Sequence, residues 1–190
     1  MIEIRDYIES TVSISDADWK LFSSKLKTRS FKKRERILNV GQTEHYISFI
    51  GSGIARFLIP NEDEDKDVTF GFCFENEFVS AYDSFLTQKP SLYALEALTD
   101  LSIWSVSYAD LQEVYKKTEV GNLIGRLSSE RLFLIKSKRE QSLLTETAEQ
   151  RYLNLFTERP NLIKDIPLKY IASYIGVTAQ ALSRIRKRIS

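Results

Sequence analysis

The sequence predicts an α+β fold in which an antiparallel sandwich or barrel of short strands lies between helical ends. Three observations carry this. Apolar residues recur at three- and four-residue steps over the first thirty positions. Between Arg36 and Val106 the apolar runs are short, many alternate, and turn signals separate them at about 8–12 residues. From Tyr108 onwards the helical period returns.

At the N-terminus, Ile4, Tyr7 and Ile8 fall at helical spacing. Ser15 then precedes Asp16 and Asp18, a capping residue before an acidic first turn, followed by Trp19, Phe22 and Leu26. Arg36 to Val40 reads as a strand ended by Gly41-Gln42, and His45 to Ile50 as a second. Gly51-Ser52-Gly53 turns the chain into a third strand, Ile54 to Ile59. Pro60-Asn61 opens an acidic loop, Glu62 to Asp67. Val68 to Phe74 sets Val68, Phe70, Phe72 and Phe74 on one side against Thr69, Gly71 and Cys73 on the other. Ala94 to Ala97 and Leu101 to Val106 are two more strands. The connections are too short for crossover helices, so the pairing is expected to be antiparallel.

A short helix is expected from Tyr108 to Lys117, then a long one with Val120, Leu123, Ile124, Leu127, Leu134 and Ile135 as a broad apolar stripe. Gly121 and Gly125 are expected to weaken its start by about 1 kcal/mol each relative to Ala. Thr145 to Thr157 is another helix, broken by Arg159-Pro160-Asn161.

Composition narrows the chemistry. The single Cys73 excludes an intramolecular disulfide and argues against a cysteine-held zinc or iron–sulfur site. One histidine, His45, cannot supply the clustered ligands of a cupin-type enzyme, so no catalytic residue, metal or cofactor is assigned. No apolar run approaches the length of a membrane span and the acidic start is not a signal peptide, so a cytoplasmic protein is expected. Net charge is +1, but unevenly placed. Residues 1–125 hold 14 Lys/Arg against 20 Asp/Glu, a balance of −6, and residues 126–190 hold 13 against 6, a balance of +7. An acidic body with a basic end suits contact with a polyanion.

The sharpest signal is Pro167 to Ser190. Leu168 to Ile175 is a helix opened by Pro167 and stopped by Gly176, which supplies the positive φ of a tight turn. Thr178 caps a second helix, Ala179 to Ile189. Ala172 permits a close crossing, and Ile171, Ile175, Val177, Leu182 and Ile185 form the seam. This is a helix-turn-helix, whose second helix enters the major groove. On that helix Leu182, Ile185 and Ile189 share one side; Gln180, Ser183, Arg184 and Lys187 share the other. Gln reads adenine and Arg reads guanine by bidentate contacts, and four residues' separation points Gln180 and Arg184 together. Thr178, Lys187 and Arg188 are assigned to phosphates.

With these residues in view, the chain resembles the Crp/Fnr family of bacterial transcription regulators over nearly its whole length. Phe31-Lys32 with Ile37-Leu38 and Gly41 is similar to the opening of that family's cyclic-nucleotide-binding-like β-roll, and Tyr46 to Ile50 before Gly51-Ser52-Gly53 to its second hairpin. Ile171 to Thr178 and Leu182-Ser183-Arg184-Ile185-Arg186 resemble its DNA-binding motif. The resemblance implies an antiparallel β-roll (double-stranded β-helix, jelly-roll-like) with flanking helices, a long dimerisation helix and a C-terminal helix-turn-helix. It divides the chain into a β-roll effector domain at 1–117, the dimerisation helix at 118–143 and the DNA-binding domain at 144–190. It also implies double-stranded DNA as partner, a homodimer, and a small-molecule effector.

Two departures from the family stand out. Its cyclic-AMP-binding members use a Gly-Glu pair and, after a short helix, an Arg followed by a small hydroxyl residue. Here the stretch runs Phe74-Glu75-Asn76-Glu77-Phe78-Val79-Ser80, then Lys89-Pro90-Ser91-Leu92-Tyr93. No Arg lies between Arg56 and Arg126, and Glu75, Glu77 and Asp83 oppose an anion near Lys89. Cyclic AMP is therefore not expected to bind in the usual way. Redox- and haem-sensing members need more Cys or His than Cys73 and His45, which read as ordinary strand residues. Secondly, no β-hairpin wing follows the recognition helix, so affinity is expected to lean on the terminal Arg/Lys cluster with a steep salt dependence. Part of the long-helix stripe is expected to meet its twin, placing two recognition helices about 34 Å apart, with a hinge near Leu143 to Thr147. The alternative is a ligand-sensing β-roll with weak or vestigial DNA binding.

Overall fold

The computed structural model describes residues 2–63 and 66–189, without the side chains of Ile2 and Glu3; Glu64 and Asp65 of the acidic loop, and Ser190, lie outside the described residues. The elements run α1 (Ile2–Glu9), α2 (Asp16–Ser24), β1 (Lys27–Phe31), β2 (Arg36–Leu38), β3 (Tyr46–Ser52), β4 (Ala55–Ile59), β5 (Val68–Cys73), β6 (Phe78–Val79), α3 (Tyr82–Thr87), β7 (Ala94–Ala97) and β8 (Leu101–Ser107). Then follow α4 (Tyr108–Lys117), α5 (Gly121–Thr145), α6 (Ala148–Glu158), α7 (Pro160–Asp165), α8 (Leu168–Tyr174) and α9 (Ala179–Ile189).

The strands form two four-stranded sheets, β1-β8-β3-β6 and β2-β7-β4-β5. The β1–β8, β3–β8, β3–β6, β2–β7 and β4–β7 pairs are all antiparallel, as short connections require. The α+β fold with its antiparallel roll is thus as expected. Gly51 lies at the irregularity in β3, where a Cβ would sit 2.8 Å from the Trp104 ring.

The chain divides into two compact units: residues 1–59 with 72–129, and 60–71 with 130–190. In the first, Ile4, Ile8, Ile14 and Phe22 from the N-terminal helices are buried with Phe49, Val106, Leu111 and Val114. A second cluster, Leu38, Ile50, Ala55, Val79, Ala81, Leu95, Ala97, Leu101 and Ile103, draws on both sheets.

Several elements depart from expectation. The alternation proposed for β5 fails at its start: Val68 is 49% exposed and Thr69 fully buried, whereas Phe72 and Phe74 are buried as expected. This start of the strand belongs to the second unit, where the Thr69 N–H donates to Ser173 Oγ at 2.8 Å. The long helix begins at Gly121 rather than Thr118, because the Thr118 hydroxyl closes α4 by donating to the Val114 carbonyl (2.8 Å) and accepts the Gly121 N–H (3.0 Å). The helix expected from Thr145 starts at Ala148, where Thr147 and Gln150 form a capping box. Pro160 does break that helix, and then opens α7 from its first position.

Gly125 is not the simple weakness its propensity suggests. A Cβ there would lie 2.8 Å from the Tyr115 hydroxyl oxygen and 2.9 Å from the ring carbon bearing it. The glycine lets α5 pass close over the Tyr115 ring. Gly125→Ala is therefore expected to lower the thermal midpoint despite alanine's advantage of about 1 kcal/mol in helices, with overpacking costing about 1–3 kcal/mol. A raised midpoint would show that Tyr115 moves aside freely.

Candidate nucleic-acid interface

The helix-turn-helix is built from the end of α8. Ile175 occupies its C-cap, and Gly176 follows with φ +78°. The Gly176 N–H donates to the Ser173 carbonyl at 3.0 Å and the Val177 N–H to the Ala172 carbonyl at 2.9 Å, the paired bonds of a Schellman stop. A Cβ at Gly176 would meet nothing closer than Leu143 at 3.4 Å, so the backbone angle, not space, demands glycine. Gly176→Ala is expected to cost about 1–2 kcal/mol by forcing a left-handed non-glycine residue, measured as a lower urea midpoint with an unchanged slope. An unchanged midpoint would mean that the turn relaxes to another conformation.

Thr178 then starts α9, its Oγ1 accepting the Ala181 N–H at 3.2 Å. Ile171, Ala172, Ile175, Leu182 and Ile185 are buried as the motif requires; Val177 and Ile189 are half-buried. The opposite stripe is in solvent: Thr178, Gln180, Ser183, Arg184, Lys187 and Arg188 are all exposed. The structure thus brings the six assigned residues onto the exposed part of one short segment. They differ in readiness. Arg184 and Lys187 form no ion pair with another described residue, whereas Arg188 is paired with Glu149 in the first turn of α6. Thr178 already spends its oxygen as a cap acceptor, a bond that does not use its hydroxyl hydrogen.

The basic surplus of the C-terminal third is partly internal. Lys138 pairs with Glu158 at 2.8 Å. Arg139 Nη2 donates to the Tyr174 carbonyl at 2.8 Å, and Arg151 Nε to the Ile175 carbonyl at 2.8 Å. The charge count includes these cations, but contacts distant in sequence commit them, and no local pattern marks them.

The β-roll carries a buried acid, Glu44, between β2 and β3. It accepts the Tyr46 N–H at 2.9 Å, and its burial pushes the carboxyl above the usual carboxylate range. Its own N–H donates to Ser84 Oγ at 3.0 Å, and the Ser84 hydroxyl donates to the Lys89 carbonyl. Asp83 accepts the Tyr93 hydroxyl, and Glu77 accepts the Phe74 N–H at 3.0 Å. Cys73 donates to the Phe78 carbonyl at 3.2 Å, and His45 Nδ1 lies 3.3 Å from Gln88 Oε1. Among the described residues no group of His, Cys, Asp and Glu is placed to hold a metal. Among the described residues no helix is long and apolar enough to cross a membrane.

Residues 28–118 match the cyclic nucleotide-binding domain family. No curated protein matches the chain in sequence. Among solved structures, the c-di-GMP responsive global regulator CLP of Xanthomonas campestris is 17% identical, with 92% of this chain and 91% of that one covered and a TM-score of 0.68. FixK2 of Bradyrhizobium japonicum is 17% identical, with 86% and 84% covered and a TM-score of 0.70. A protein of Eubacterium rectale ascribed to the Crp/Fnr family of transcriptional regulators is 20% identical, with 92% and 83% covered and a TM-score of 0.67.

Proposed function

We propose, from a chain that carries a cyclic nucleotide-binding domain and has the fold of the Crp/Fnr regulators, that it is a sequence-specific DNA-binding transcriptional regulator acting as a homodimer. The observation that carries this reading is the division of α9: Leu182 and Ile185 buried, Gln180, Ser183, Arg184 and Lys187 exposed together. Gln180 and Arg184 read base edges, Thr178, Lys187 and Arg188 hold phosphates, and Ser183 lies between. The pairing of Arg188 with Glu149 supports a larger share for Lys187.

The test is binding to random-sequence duplex at two salt concentrations. Affinity is expected to fall steeply with salt, Lys187→Ala lowering the log–log slope by about 1 and Arg184→Ala leaving it nearly unchanged. No binding at low salt would contradict the proposal and favour a β-roll that senses a ligand without reading DNA.

The β-roll does not take cyclic AMP in the usual way. The supporting observations are the missing Gly-Glu and Arg, together with the acids Glu77 and Asp83 in the corresponding segment. Titration calorimetry is expected to show no micromolar cyclic-AMP binding, and a micromolar isotherm would overturn this. The effector is then an uncharged or apolar small molecule, or the roll is a scaffold.

A further inference from the structure

The carbonyls that close α8 can be followed one by one. Ile171 O accepts the Ile175 N–H at 3.0 Å, Ala172 O the Val177 N–H at 2.9 Å, and Ser173 O the Gly176 N–H at 3.0 Å. Tyr174 O and Ile175 O remain, and each is met by an arginine from a different helix. Arg139, on α5, donates through Nη2 to Tyr174 O at 2.8 Å, its guanidinium carbon 4.8 Å from the centre of the Tyr174 ring. Arg151, on α6, donates through Nε to Ile175 O at 2.8 Å and through Nη1 to Glu146 O, at the junction of α5 and α6. Glu146 is itself held: its carboxylate accepts the Ser142 hydroxyl and Asn154 Nδ2. Positive charge at a helix C-terminus is favourable as well as hydrogen-bonded.

We propose that Arg139 and Arg151 are positioning residues for base reading, clamping the turn of the helix-turn-helix from two helices and fixing the axis of α9 without touching DNA. This rests on the reading of α9 as the DNA-contacting helix. Only Ile175, Gly176, Val177 and Thr178 separate α8 from α9, so a turn that shifts carries α9 with it. Base-edge hydrogen bonds tolerate only a few tenths of an ångström, whereas phosphate contacts are met by long flexible cations. Loosening the clamp therefore weakens discrimination more than total affinity. Arg139 also ties the end of α8 to α5, so a change in α5 reaches the turn before α9 through a named bond.

The test uses the full chain and two readouts. The first is the ratio of affinities for a selected and a random duplex. The second is hydrogen exchange of the Gly176 and Val177 amides without DNA. In Arg139→Met and Arg151→Met, which keep the apolar stem and lose the donors, the ratio is expected to fall about tenfold or more while random-duplex affinity stays within about twofold. Both amides are expected to exchange faster. Arg139→Lys, which keeps one donor, is expected to recover most of the ratio. Arg151→Lys is not, because one ammonium cannot reproduce the fork that meets two separate carbonyls. Arg139→Leu, which also lacks a donor, takes the place of Arg139→Met if that variant does not fold, with the same fall expected. An unchanged ratio would overturn the proposal. So would selected and random affinities falling together, which would make these arginines phosphate contacts. A wild-type chain without preference for any duplex would instead refute the DNA reading, and amide exchange would still decide whether the arginines hold the turn.

Discussion

Leu182→Ala is expected to destabilise the C-terminal unit by about 2–5 kcal/mol and to abolish duplex binding at every salt concentration. Leu182 is only 1% exposed, on the inward side of α9. Its truncation removes transfer free energy and leaves a void that short helices close only in part. Whole domains hold about 5–15 kcal/mol, so such a loss takes much of the margin of this unit. Urea unfolding followed by circular dichroism measures it. An unchanged midpoint would mean that α9 does not pack by this side, and the opposite stripe would then not be the reading face.

Leu134→Glu is expected to convert a dimer into a monomer and to lower operator affinity by about 10²–10⁴-fold. Along α5, Phe133, Leu134 and Ile135 are 70%, 66% and 52% exposed in the single chain, and Leu144, ten residues beyond Leu134, is exposed as well. Covering each such side chain is worth about 1.5–3 kcal/mol, so an apolar run of this length favours a second copy. A glutamate at 134 costs the isolated chain little, because the position is already in water, but it places a charge inside the proposed two-fold contact. A two-headed protein gains affinity because the second half-site binds at high effective concentration, and the monomer forfeits that gain. Analytical ultracentrifugation of both proteins decides it. A variant that stays dimeric would place the two-fold contact elsewhere.

What could be read from the sequence follows the range of the forces involved. The α8–α9 turn was legible because its determinants are local: Gly176 at positive φ, Thr178 three residues before the N–H it caps, and the three- and four-residue steps of Leu182 and Ile185. The strands Ala94–Ala97 and Leu101–Ser107 were legible from apolar patterning. Strand β1 was not, because Lys27-Thr28-Arg29-Ser30-Phe31 is polar on both faces and Arg29 covers the Phe31 and Tyr46 rings with its guanidinium. The two-residue β6 and the six-residue helices α3 and α7 are too short for periodicity to mark. Gly125 reads as a helix defect until Tyr115 is seen beneath it. Least visible were Arg139 and Arg151, whose acceptors lie 35 and 24 residues away and are backbone carbonyls that no side-chain pattern encodes.

Operator selection from a random duplex library with the wild-type chain, Gln180→Ala and Arg184→Ala tests the assignment of α9 most directly. The wild type is expected to enrich an inverted repeat whose half-sites lie about one helical turn apart. Each variant is expected to lose preference at its own base pair, at a cost of about 1–3 kcal/mol there, and to keep the rest of the motif. Enrichment of the same motif with the same preferences by all three proteins, or of none by the wild type, would contradict it.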